Sequence, residues 1–172
     1  MAPSDATVHR QQELYWQQLR DLKAGCLYLE RYRSILNDWE TRIATVRAVA
    51  SSGAIAGWAI VQAHPLLWGS IIAAAQVADA LRHVFPLATR RQAASDLLGV
   101  LEGQFFRCLH EWESVRDGSL SDREINDRRL GLMEQQHQAQ LKYFPTTGLP
   151  VRPALKALAE AEARDYLTKR FG

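Results

Sequence analysis

Three groups of residues combine types and spacing that chemistry can use. Gln76, Asp79 and His83 stand three and four apart, so a helix would line them along one face. In an apolar segment such a row suits a polar path: copies of Asp79 in an oligomer would form a ring favouring cations, and Ser70 and Gln76 would extend it deeper. The alternative is structural, with Asp79 pairing with Arg47 and fixing the packing of a hairpin. The second group is Cys108, His110 and Glu111, a nucleophile beside a base and an acid. Helical neighbours at i and i+1 point in different directions, so His110 and Glu111 do not converge on a substrate. Glu162 and Asp165, three apart, share a helix face and read as a solvated acidic pair. His137, set among glutamines, reads as a surface residue. There is no glycine-rich phosphate loop, no metal-ligand spacing, and no His-Glu-x-x-His or Cys-x-x-Cys motif, so neither a cofactor nor a metal is expected and nothing points to an enzyme.

The element that must position the first group is the run from Ala48 to Ala78, which contains no Asp, Glu, Lys or Arg. Its middle is Ala63-His64-Pro65. Proline lacks the N–H of a continuing helix and disfavours α geometry in the residue before it, so the run reads as two apolar helices joined by a tight turn. Crossing a hydrocarbon core of roughly 30 Å takes about twenty helical residues. The arms Ile43–Gln62 and Leu66–Phe85 reach that length by including Arg47 in one and Asp79 and Arg82 in the other. Counted from the turn, these charges cluster at the open end, where arginine can snorkel and an Arg47–Asp79 pair would offset the cost of burial. Arg42, Arg90 and Arg91 lie on the same side, so the positive-inside rule places both termini in the cytoplasm. Trp58 and Trp68 flank the turn at the places of interfacial aromatics. Gly53 and Gly57, four apart, and Ser70, Ala74 and Ala78 form rows of small residues that let helices approach closely in lipid. A mean hydropathy of −0.24 keeps a second arrangement open, in which the hairpin is the buried centre of a soluble bundle.

The remaining segments are polar and helical. The first forty or so residues hold no short apolar core of a signal peptide, which predicts cytosolic synthesis. Tyr15, Leu19, Leu22, Cys26, Leu29, Leu36 and Ile43, supported by Tyr32 and Trp39, recur at near-heptad steps from His9 to Arg47, with no helix breaker between Asn37 and Ala48. Such a stripe suits a helix of the same chain or of a neighbouring copy. Past a break at Pro86, a second stripe of Ala93, Leu97, Leu101, Phe105, Cys108, Leu109, Trp112 and Val115 ends at Asp117-Gly118. Ser121 and Glu124 have capping-box spacing, starting a helix that runs to about Tyr143 with Ile125, Leu132, Met133 and Leu141 as its sparse apolar content. A loop with three prolines precedes a final helix, Ala154 to Phe171, with Leu155, Leu158, Tyr166 and Leu167 inward. The two cysteines, Cys26 and Cys108, read as small core hydrophobes. A net charge of +2 is too slight to predict a nucleic-acid partner, and the pairs Arg90–Arg91 and Arg128–Arg129 are isolated, the second reading as solvated surface. The expected class is all-α: an N-terminal amphipathic helix (1–42), a two-span transmembrane hairpin (43–87) and a C-terminal cytosolic helical region (88–172), together one helical bundle.

That order of elements, with EGQFFRCLHEWESVRDGSLSDREI after the hairpin and AEAEARDYL near the end, resembles the SLATT families, the SMODS- and SLOG-associating two-transmembrane effectors of bacteria. The resemblance covers most of the chain and implies a pore-forming or membrane-depolarising antiphage effector. Such a protein would oligomerise in the lipid of the inner membrane, with a sensor or regulatory protein as partner. On that view Arg47 and Asp79 tune insertion and Gly53 and Gly57 let helices meet. A cytoplasmic, soluble all-α adaptor that binds a protein partner through its long helices is the alternative expectation.

Overall fold

The computed structural model describes residues 5–56, 66, 69–70, 73–77, 80, 86–145 and 148–171. Every element among them is helical: α1 (Asp5–Ala56), α2 (Leu87–Arg116), α3 (Asp122–Tyr143) and α4 (Pro153–Phe171). The expected all-α class is therefore observed. Leu66, residues 69–70 and 73–77, and Ala80 are helical as well. The chain divides into two compact units, Met1–Tyr32 with Ala93–Gly172, and Arg33–Gln92. The expected boundary at 42/43 falls inside α1, which contains no proline and no glycine between Gly25 and Gly53 and runs unbroken.

The first unit is a four-helix bundle built on heptad spacing. Tyr15, Leu19, Leu22, Cys26 and Leu29 of α1 are buried, and their alternating steps of four and three put them on one stripe. The matching stripe of α2 comprises Leu97, Leu101, Phe105, Cys108 and Val115, all buried. Gln12 meets Val115, Tyr15 meets Glu111, and Leu101 lies 3.4 Å from where a side chain on Gly25 would begin, so α1 and α2 are antiparallel and approach closely at Gly25. α4 also runs against α1: Trp16 meets Phe171, Lys23 lies over the Tyr166 ring at 4.6 Å, and Arg31 pairs with Glu162 at 2.5 Å.

Local chemistry sets the helix ends. Gly118, at φ 71°, takes the left-handed conformation that only glycine adopts at little cost. Ser119 N–H then reaches the Ser114 carbonyl at 3.3 Å and Gly118 N–H the Val115 carbonyl at 3.4 Å, a Schellman closure. The capping box predicted at Ser121 is present: Ser121 Oγ accepts from Glu124 N–H at 3.4 Å, and the Glu124 carboxylate accepts from Ser121 N–H at 2.8 Å. The Ser121 hydroxyl also donates to this carboxylate at 2.6 Å, and that bond, with the one from Ser121 N–H, holds the Glu124 carboxyl below its ordinary range. A depressed acid contributes its stability above its unfolded value and loses it as pH falls through the folded one. Ser121→Ala is expected to cost about 1 kcal/mol of stability at pH 7 and less once Glu124 is protonated; urea titrations at pH 7 and pH 3 test this.

Burial departs from the sequence reading on the outer helices. Leu158, expected inward, is 54% exposed, and Trp39 of the α1 stripe is 52% exposed; of the sparse apolar residues of α3, Met133 and Leu141 are 43% and 48% exposed. Ala139 of α3 and Ala159 and Ala163 of α4 are buried instead. The physical reason is close helix approach, which selects small side chains for the contact stripe and turns larger ones aside.

Both cysteines are free thiols in the core, as the sequence suggested. Burial pushes Cys26 up to about 12, and Cys108 to about 11 despite the opposing hydrogen bond from Tyr15. Their share of stability is complete below the ordinary value of 9.0 and is lost as pH rises through the folded values. Neither thiol should react with iodoacetamide in native protein at pH 8 while urea-unfolded chain labels at both. Fast native labelling of either would contradict this core placement.

In the second unit, Arg91 of α2 pairs with Glu40 of α1 at 3.0 Å. Thr41 and Thr45 return their hydroxyls to the carbonyls of Asn37 and Thr41 at 3.0 and 2.9 Å. Along the described part of the apolar run, Leu66 is 89% and Val77 58% exposed, and Ala73, Ala74 and Ala80 are exposed too. Among the described residues no helix is long and apolar enough to cross a membrane.

Candidate functional site

Of the hairpin residues singled out by sequence, Arg47 and Gly53 lie on α1, Arg47 with an exposed side chain. Ser70 and Gln76 are helical and exposed. Gly57, Asp79, His83, Trp58 and Trp68 lie outside the described residues, and with them the Arg47–Asp79 pair and the Gln76–Asp79–His83 row.

The bundle gathers a different set of residues. Tyr15 is fully buried and its hydroxyl donates to Glu111 Oε2 at 2.9 Å; Arg128 of α3 stands 3.9 Å from the same oxygen. Burial, with Cys108 and Glu111 beside it, pushes the Tyr15 phenol far above the usual tyrosine range, so it stays a neutral donor. Three helices are thus tied through one carboxylate. His110 is exposed, so it and Glu111 point apart as the helical geometry requires. The acidic pair separates as well, since Glu162 binds Arg31 and Asp165 binds Lys169 at 2.7 Å. Cys108 is sealed in the core. Among the described residues no group of three or more His, Cys, Asp or Glu side chains is placed to hold a metal ion.

Near this cluster an open cleft of about 500 Å³ lies between the start of α1 and the ends of α2 and α4. Its walls are aromatic: Trp16 and Trp112 sit 4.9 Å apart, and Phe171 meets Trp16 edge-on at 5.6 Å. His9, Glu13 and Arg116 supply its charge. Glu13 accepts from Gln17 and Arg116 pairs with Asp117, which leaves no nucleophile held against a base. Such a site is suited to recognition, with apolar surface and a few polar groups. Sequence reading placed Trp112 in a core stripe and missed Trp16 and Phe171. The available signal was Trp16 itself, a large aromatic one position off the α1 stripe.

Long tyrosines perform a second positioning task. Tyr28 donates its hydroxyl to the Pro150 carbonyl and accepts from Arg152 N–H at 3.2 Å, and Arg152 lies over Tyr32 at 6.0 Å. The proline-rich loop is thereby pinned to α1. Of the second arginine pair, Arg128 is exposed, as a solvated surface residue would be, and stands 3.9 Å from Glu111, whereas Arg129 is half-buried and donates to Asn126 Oδ1 at 3.0 Å. No family model, curated protein or solved structure matches this chain.

Proposed function

We propose that this chain is a two-span membrane effector of a bacterial antiphage system, one that oligomerises through its apolar hairpin in the inner membrane and depolarises it. Both termini and the four-helix bundle lie on the cytoplasmic side. The observation that supports this reading is the exposure of the apolar run: Leu66 and Val77 are 89% and 58% exposed, while the bundle core is filled by other helices. Exposed apolar side chains of this kind seek lipid or a partner, and the arginines at the hairpin's open end favour a cytoplasmic location for that end. Arg47 and Asp79 adjust insertion, Gly53 and Gly57 admit a neighbouring helix, and Ser70, Gln76 and Asp79 line the ion path. The Trp16–Trp112 cleft receives the regulatory protein. That same cleft favours a second reading, a cytoplasmic adaptor whose apolar run docks on another protein.

Membrane fractionation with carbonate and detergent washes, beside a membrane-potential dye in the same cells, separates the two. Carbonate-resistant protein and a lost potential are expected of the effector; release from membranes with the potential intact would select the adaptor. Within the effector, Asp79→Ala should reduce ion flux severalfold in a still-assembled oligomer, and unchanged flux would remove Asp79 from the path.

A further inference from the structure

α3 carries two apolar rows. Ile125, Leu132 and Ala139, seven apart, are buried in the bundle. Leu130, Met133 and Leu141 occupy a second face, rotated by about two-fifths of a turn at 100° per residue, and are 43–48% exposed. Surface polar residues usually cover such a helix face. Arg129, half-buried, flanks the row on the side towards the core; its Nη1 donates to Met133 Sδ at 3.7 Å and its Nη2 to Asn126 Oδ1 at 3.0 Å, and each of these nitrogens carries a second N–H. Glu134 flanks it on the other side, is exposed, and has no ion-pair partner among the described residues.

We infer that this face is a contact between neighbouring copies of the chain, with α3 lying parallel to its counterpart and Arg129 paired with the partner's Glu134. Leu130 and Met133 take the a and d places of the seam, Arg129 the flanking g place and Glu134 the flanking e place. In a parallel pair a g residue meets the e residue five positions on in its neighbour, and Arg129 and Glu134 are five apart. An antiparallel pairing centred on this row instead sets Glu134 against the partner's Glu134, like charge on like charge. In the parallel pair the preceding rung places Asp122 opposite the partner's Asp127, a like-charge contact that the partner's own Arg123 offsets, since Arg123 stands 4.0 Å from the Asp127 carboxylate within each chain. Three apolar residues a side bury far less than the roughly 1,200 Å² of a stable free complex. The contact therefore rests on the membrane reading above, in which hairpins hold the copies side by side at high effective concentration.

Cysteine cross-linking of the full chain in membranes tests this, with native Cys26 and Cys108 protected by burial. Met133→Cys should cross-link to its counterpart on mild oxidation, and Leu158→Cys, exposed on α4, should not. In the Met133→Cys background, Arg129→Glu and Glu134→Arg should each lower the cross-linked fraction about fivefold, as expected for two exposed ion pairs lost and replaced by repulsion. The double reversal should restore it, which a merely misfolded variant would not do. Absent Met133→Cys cross-linking, or cross-linking indifferent to the single reversals, overturns the contact. The potential dye is read in parallel: depolarisation without the cross-link defeats this contact alone, and the charge-dependent cross-link without depolarisation upholds it while the pore reading fails.

Discussion

Tyr15→Ala is expected to lower the stability of the bundle by about 3–5 kcal/mol, a large part of the 5–15 kcal/mol typical of a folded domain. The side chain is fully buried, stacks on Trp112 at 6.3 Å between centroids, and lies where α1 and α2 meet. Truncation leaves a cavity that neighbouring helices cannot fill without losing their own packing. It also removes the donor from Glu111. Tyr15→Phe separates the two contributions, because the ring stays and only the hydroxyl goes. The loss should then be about 1–2 kcal/mol, moderated by Arg128 at 3.9 Å and by the 31% exposure of the Glu111 side chain. Urea denaturation followed by circular dichroism measures both. An unchanged midpoint in Tyr15→Ala would mean that α1 and α2 do not pack as described.

Ile72→Arg has the largest expected effect on the proposed activity. Ile72 stands seven residues beyond Pro65, well inside the second arm, where an arginine costs about 2.5–3.5 kcal/mol to insert. That is a factor of roughly 10² in an insertion equilibrium, and the carbonate-resistant fraction and the depolarisation should fall together. Leu66→Arg adds the same charge beside the turn, where its long side chain reaches the interface, and should insert almost normally. Equal behaviour of the two variants would show that depth in a bilayer is irrelevant to this segment and would favour the adaptor.

The aromatic cleft draws its walls from helix ends, yet its Trp112 also stacks on Tyr15 at 6.3 Å, so Tyr15→Ala should disturb the cleft as well as the core. Trp16 and Phe171 meet there although they stand at opposite ends of the chain.

What the sequence by itself determined is local. Pro86, Gly118, the Ser121–Glu124 box and Pro153 mark the helix ends because each acts through its own backbone or that of near neighbours. The stripes of α1 and α2 were legible for a related reason: large apolar residues at heptad steps leave little choice of inward face. On α4 the same rule misplaced Leu158, and on α3 the sparse apolar residues define more than one face, of which Met133 and Leu141 take the exposed one. Only tertiary structure decided which of these faces meets the bundle, and it selected Ala139, Ala159 and Ala163, where small side chains let helices come close. The tie between Tyr15 and Glu111, the pinning of the proline loop by Tyr28 and the cleft of Trp16, Trp112 and Phe171 likewise join residues far apart in the chain. Such contacts depend on helix register and approach, which arise only when the whole bundle packs.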